Sequence, residues 1–306
     1  MQNLGEFKKN NFSQFGEDGI ISEILKRIDS VSPNSALNMW CVEFGAWDGI
    51  SGSNTYNLIS NFGCRGVLIE PDQTKFIGLL SNLADSKHYK FNEYVGLDDH
   101  NKLDSILGRT EIPFNFDVLS IDIDGMDYFV WKSLQNYRPK IVCIEFNPTI
   151  PAHIFFIQPP SFALSQGSSP MSIVGLAKEK GYELVSATDC NLIFVTSELS
   201  ELVTGTNRSL EYRDIAPPRI VEDVLIFSGY DGTLILSNDL FLPWHNLQIK
   251  PLDLQLLPKR IRQFPLNYSL FARVQFYFFK VRQRGFVWGM NNLKAKLVSR
   301  IFRREI

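Results

Sequence analysis

Four short apolar runs, at residues 39–44, 67–70, 116–123 and 140–146, and a weaker strand pattern at 89–95 organise the first half of the chain. The last run, Lys-Ile-Val-Cys-Ile-Glu-Phe, is the clearest, because apolar residues without alternation mean burial on both faces. Segments whose apolar residues recur at helical spacing lie around them, at 20–25, 54–61, 76–83, 128–134 and 171–180. Ser13 or Asp18 is placed to cap the first, and Gly181 ends the last as a C-cap. Alternation of strand and helix through residue 180 predicts an α/β fold with a parallel sheet covered on both faces. Two further strands, 182–187 and 192–195, are separated only by Thr188-Asp189-Cys190-Asn191. With no crossover helix between them, they form an antiparallel hairpin at one sheet edge.

Composition sets the outer bounds. A chain of 306 residues, 44% hydrophobic and 21% charged, is long and apolar enough for a full enzyme core. No apolar run reaches the ~18–20 residues that span a bilayer, and the start lacks the layout of a signal peptide. Cys41, Cys64, Cys143 and Cys190 are scattered without a CxxC pair. Cys41 and Cys143 sit in apolar runs and read as reduced and buried, which fits a cytoplasmic protein.

Ligands of open parallel sheets bind beyond the carboxyl ends of the strands, near the reversal in strand order. After the first strand stands Glu43-Phe44-Gly45-Ala46-Trp47-Asp48-Gly49, and Glu70 ends the second. Glycines there admit close backbone approach, although a tight structural turn would also require them. An acid about 20 residues or somewhat more beyond suits the two hydroxyls of a ribose. The loop is not a dinucleotide fingerprint, since Trp47 blocks the pyrophosphate path and Glu43 and Asp48 repel phosphate. A nucleoside with an amino-acid tail fits better, because its ammonium can meet carboxylates. S-adenosylmethionine is such a molecule.

The segments SQFGEDGI, VEFGAWDGISGSNT, GVLIEPD, LSIDIDGMDYFVW, IEFNPTIP and KGYELVSATDCNLIFV resemble the FkbM-type branch of class I S-adenosylmethionine-dependent methyltransferases. The likeness runs from about residue 11 to 195 in family order. It implies a Rossmann-like class I methyltransferase fold, a mostly parallel seven-stranded sheet with an antiparallel final strand. It also implies methyl transfer to oxygen, often on sugars or polyketides, and sugar methyltransferases of this type often act on bacterial surface glycans such as capsule or lipopolysaccharide. Carried over by motif, Glu43, Gly45, Asp48 and Gly49 would line the methionine end. Ser53 and Asn54 would stand at the next helix start, with Glu70 on the ribose and Tyr94 or Val95 near adenine. Trp47 departs from the family's common glycine pattern.

Asp122, Asp124 and Asp127 surround Gly125 at the end of the fourth strand; Glu145 and Asn147 end the fifth, and His153 follows. Methyl transfer needs an acceptor oxygen held in line and relieved of its proton. The candidate catalytic residues are Asp122, Asp124, Glu145 and His153, the last as a general base over the acceptor. Oxygen donors in this number suit Mg²⁺ or Mn²⁺, with Asp124, Glu145 and Asn147 as the candidate ligands. Plainer roles are a helix cap for Asp127, solvent exposure for Asp122 and a local hydrogen bond for His153. Residues 166–169 form either a loop that closes over substrate or a linker. Asp122-Ile123-Asp124-Gly125 also copies the nucleophile motif of haloacid-dehalogenase-like phosphohydrolases, but on the fourth strand and with Met126 where Thr or Val belongs. A third reading is a non-catalytic binding module with the same fold.

Charge divides the chain. Residues 259–306 hold twelve Lys and Arg against one acid, Glu305, whereas the rest holds 19 basic and 32 acidic residues. Phe286, Met290, Leu293, Leu297 and Ile301 form a helical stripe among those cations. A basic amphipathic helix of this kind suits an anionic membrane interface at the inner face of the plasma membrane. The alternative packs the stripe on the acidic body or on a second subunit of a homodimer. A nucleic-acid partner is not expected, because the acidic body repels phosphates. The expected organisation is a cofactor-binding domain at 1–200, an accessory β-containing segment at 201–258 and a basic tail at 259–306. The acceptor that the resemblance implies is a saccharide or lipid-linked glycan.

Overall fold

The computed structural model describes residues 3–31, 37–206, 209–217 and 223–285, which fall in two compact units, Met1–Ile220 and Val221–Ile306. The first unit contains one sheet of seven strands: β1 (Trp40–Phe44), β2 (Arg65–Ile69), β3 (Tyr89–Phe91), β4 (Val118–Ile121), β5 (Ile141–Glu145), β6 (Tyr182–Ala187) and β7 (Asn191–Thr196). Their order is β3-β2-β1-β4-β5-β7-β6. β1 to β5 are parallel, and β7 runs antiparallel to both β5 and β6. This is the expected Rossmann-like class I methyltransferase topology, with the closing hairpin at one edge. The chain starts in the middle at β1, works outward to β3 and returns to β4. A crevice therefore opens between the β1 and β4 exits.

Alternation along each strand sorts its side chains onto two faces. Val42, Phe44, Leu119, Ile121, Val142 and Ile144 enter one core with Trp131, while Cys41, Leu68, Val118, Ile141 and Cys143 enter the other. Both faces are apolar, so the runs read as continuous. Helix α1 (Glu17–Val31) covers the second face with Ile20, Ile21, Ile24 and Ile28. Its start is held reciprocally: Ser13 Oγ accepts from the Asp18 amide, and Asp18 Oδ2 accepts from the amides of Asn11, Phe12 and Ser13. Cys41 and Cys143 are buried, as the sequence suggests; Cys64 is buried as well, and all four cysteines are free.

The remaining helices of this unit are α2 (Tyr56–Phe62), α3 (Gln73–Asn82), α4 (Leu103–Leu107), α5 (Asp127–Ser133), α6 (Pro170–Glu179), α7 (Ser197–Thr204) and α8 (Tyr212–Ile215). Five-residue α4 is too short to show a period. It is fixed by tertiary bonds, with the Asp104 carboxylate accepting from the amides of Gln135 and Asn136. The third strand ends at Phe91, which leaves Tyr94 in a loop. The compact unit extends past residue 200 because α7 buries Val203, whose carbonyl accepts from Arg27.

In the second unit, β8 (Ile226–Ser228) and β9 (Leu234–Leu236) form a hairpin around the expected turn. A second hairpin joins β10 (Leu240–Leu242) to β11 (Leu247–Ile249). Helix α9 (Leu270–Arg284) follows. The apolar stripe from Phe286 to Ile301 lies outside the described residues. No helix among the described residues is long and apolar enough to cross a membrane.

Candidate active site

The loop leaving β1 turns left-handed four times, with φ of +74° at Gly45, +49° at Trp47, +79° at Gly49 and +71° at Gly52. A Cβ on Gly45 would collide with the carbonyl oxygen of Asp122. The adjacency of β1 and β4 by itself requires glycine there. Trp47, half exposed, lies under the Lys75 ammonium, 4.3 Å from ring centroid to Nζ.

Glu43 is buried and engaged by the segment that starts α2. Its Oε2 accepts from Ser53 Oγ at 2.6 Å and Thr55 Oγ1 at 2.7 Å, and its Oε1 from the Asn54 amide at 2.8 Å. Burial raises its pKa against the pull of those donors. Asn54 Nδ2 crosses to Ser120 Oγ on β4 at 3.0 Å, which ties the helix start to the middle of the sheet. Asp48 serves its own turn: Oδ1 accepts from the amides of Ile50 and Ser51, and Oδ2 from Ser51 Oγ. Against a partial burial cost, those donors hold its carboxyl below the ordinary range. Glu70 is buried at the β2 exit and joins two loops, accepting from the amides of Trp47 and Asp72 at 2.8 Å each. Each Glu70 oxygen retains a second acceptor site.

Across the crevice, Asp122, Asp124 and Glu145 bring carboxylate oxygens within 4.8 Å of one another. Asp127, the first residue of α5, holds the turn that presents them. Its two oxygens accept from the amides of Ile123 at 2.9 Å and Gly125 at 2.8 Å. Burial first, then repulsion from Asp127 and Asp124, pushes Asp122 up to about 7. Burial, then Asp122, Asp127 and Asp124, pushes Glu145 up to about 10. Both carboxyls are therefore held above the ordinary carboxylate range, by burial first and by one another's charge after it. None of the salt bridges among the described residues involves these carboxylates.

The Asn147 side chain is engaged by its own loop. Its Oδ1 accepts from the Thr149 amide and hydroxyl, and its Nδ2 donates to the Gln166 carbonyl. Together with Ile150, Ile154, Phe156 and Gln166 it lines a cavity of ≈ 570 Å³. His153 is exposed and lines a different cavity with residues of α6 and the start of α8, so the structure does not bring it to the acids.

Two residues of this region have no counterpart in the sequence reading. Gln158 is 1% exposed, and its Oε1 accepts from the amides of Gln166 and Gly167 while its Nε2 donates to the Leu164 carbonyl. A Cβ on Gly125 would meet Gln158 Oε1 and the Leu164 oxygen at 2.8 Å each, so the 158–167 loop lies against the turn that carries Asp124. From there Phe162 reaches Tyr94, with ring centroids 6.2 Å apart. Tyr94 follows β3 and the loop follows β5, so this strap passes over the exits of the strands between them.

No family model matches the chain, and no curated protein matches it in sequence. Among solved structures, it is similar to the pyocyanin biosynthetic protein PhzM at 14% identity and TM-score 0.30, covering 56% of this chain and 54% of that one. A SAM-dependent methyltransferase from Leishmania major aligns at 15% identity and TM-score 0.33, covering 59% and 73%. OxaC, in complex with SAH and oxaline, aligns at 10% identity and TM-score 0.34, covering 60% and 48%. The chain thus spans about half the length of PhzM and of OxaC. Function rests on the residues of the chain itself.

Proposed function

We propose that the chain is an FkbM-type, S-adenosylmethionine-dependent O-methyltransferase that methylates a saccharide hydroxyl. The observation that carries this reading is the convergence of carboxylates at the carboxyl edge of a class I methyltransferase sheet, with no Lys or Arg paired to them among the described residues. Such a site calls for a cationic ligand, and the sulfonium and ammonium of S-adenosylmethionine answer it. The spare acceptor sites of Glu70 suit ribose hydroxyls. Tyr94 and Phe162 offer flat apolar surface to a base. The Asn147 cavity combines amide groups with aliphatic and aromatic walls, a lining that suits a pyranose.

The cofactor supplies an electrophilic methyl carbon. Asp122, whose proton affinity lies near neutral, takes the proton of the acceptor hydroxyl. Glu145 donates a hydrogen bond in its protonated form, and Asp127 fixes the turn on which Asp122 and Asp124 stand. Asp122, Asp124 and Glu145 also fit a hard divalent cation such as Mg²⁺ or Mn²⁺, which would lower the pKa of the acceptor hydroxyl. A phosphohydrolase finds less support, because a phosphate ester would meet these carboxylates without a paired Lys or Arg.

The setting we propose is surface-glycan assembly at the cytoplasmic face of the plasma membrane, on a saccharide or lipid-linked glycan. On α9, Leu270, Phe271, Val274 and Phe278 are 81%, 65%, 46% and 66% exposed beside Arg273, Lys280, Arg282 and Arg284. Apolar exposure next to cations supports peripheral contact with anionic lipid. Titration calorimetry with S-adenosylhomocysteine tests the enzymatic reading. Binding is expected, with affinity reduced by Glu70→Ala, and absence of heat overturns it.

A further inference from the structure

Beyond the acid cluster, the first unit has a second cavity, of ≈ 580 Å³, between His153 of the loop after β5, the outer face of α6 and the start of α8. Its volume falls within the roughly 300–1,000 Å³ of small-molecule sites. Lys178 and Arg213 line it together with His153, while Val174 and Tyr212 supply an apolar side. This is a local reversal of charge, since residues 1–220 hold 18 Lys and Arg against 27 Asp and Glu. Glu211 is the opposing acid, and its contact with Lys178 is long, at 3.8 Å between half-exposed groups. Arg213 and His153 have no carboxylate partner among the described residues. The Tyr212 wall is anchored edge-on to Phe146, the residue after Glu145, at 5.5 Å between centroids.

We infer that this cavity binds the phosphate end of a phosphorylated sugar or similar organophosphate. The anion sits among Lys178, Arg213 and His153, and the ring lies along Val174 and Tyr212. Charge-assisted bonds to phosphate oxygens are stronger than the stretched Lys178–Glu211 contact, so Lys178 is free to turn to the ligand. This inference goes beyond the methyltransferase reading and does not depend on it.

The test titrates the full-length chain with pyrophosphate by calorimetry. The comparison is between variants, because the cations of residues 259–306 also attract polyphosphate. Lys178→Met with Arg213→Met should weaken binding about tenfold or more, while the melting midpoint and far-ultraviolet circular dichroism stay unchanged. Glu211→Gln should tighten it roughly threefold by removing the like charge, a gain that a purely structural role would not produce. The source of the phosphate is read from methyl transfer. Competition between pyrophosphate and the acceptor marks it as part of the acceptor, and binding without competition marks a separate ligand; either supports the site. No pyrophosphate binding by the wild-type chain, or equal binding by the double variant, overturns the inference. Pyrophosphate binding without S-adenosylhomocysteine binding would leave this site standing and remove the methyltransferase reading.

Discussion

Replacing Asp122 by Asn should make the protein more stable while it abolishes methyl transfer. Burial in the crevice first, then repulsion from Asp127 and Asp124, raises Asp122 from the ordinary 3.8 to about 7. A folded-state pKa above the unfolded one means that the folded state holds its proton longer. The resulting stability is fully present below about pH 4, is lost as pH rises through about 7, and stays lost above it. At about 1.4 kcal/mol per tenfold, the interval corresponds to an upper bound of roughly 4 kcal/mol. The side chain is partly exposed, so water and counterions screen much of this, leaving about 1–2 kcal/mol at pH 8. For a unit of this size, that is a rise in melting midpoint of roughly 2–8 °C. Thermal denaturation at pH 8 and pH 5 is the assay. The Asn variant should melt higher at pH 8, by a margin that shrinks at pH 5, and Mg²⁺ should narrow the gap by relieving the wild type. A variant that melts no higher at pH 8, or by the same margin at both pH values, refutes the reasoning.

Other outcomes follow from the same geometry. The rate of methyl transfer should rise with pH through about 7 as Asp122 ionises, and a profile flat between pH 6 and 8 would exclude Asp122 as the base. Asp124→Asn and Glu145→Gln should each weaken Mn²⁺ binding about tenfold or more by calorimetry, whereas Asn147→Ala should leave it close to wild type. Gln158→Ala leaves the Gln166 and Gly167 amides unpaired, at about 1–3 kcal/mol of local stability, and limited proteolysis should cut the 158–167 loop faster. Deleting residues 260–306 should release the protein from anionic vesicles while S-adenosylhomocysteine still binds; full-length protein that fails to sediment with such vesicles would remove the membrane reading.

Much of the sheet was legible because burial on both faces leaves a strand few choices of residue. β1, β2, β4 and β5 fall inside the expected apolar runs, apart from Arg65 and Gly66 at the start of β2. The closing hairpin was legible from the missing crossover helix. Strand exits are also fixed by position, so the nearness of Asp122, Asp124 and Glu145 follows once β4 and β5 pair as Ile121 with Ile144. What lies after a strand exit was less legible. His153 and Gln158 are five residues apart on one loop, yet one turns away to the face of α6 and the other is pinned beside Gly125.

The sequence by itself determined the sheet, its polarity and the strand ends at which acids gather, because apolar burial and chain connectivity act locally and repeat. Only the tertiary structure decided what each acid does. Glu43 and Asp48 are taken up by loop amides and hydroxyls, Glu70 bridges two turns, and the carboxylates at the β4 and β5 exits have no Lys or Arg paired with them among the described residues. Those roles depend on which donors long-range packing brings within about 3 Å, and no local pattern encodes that distance.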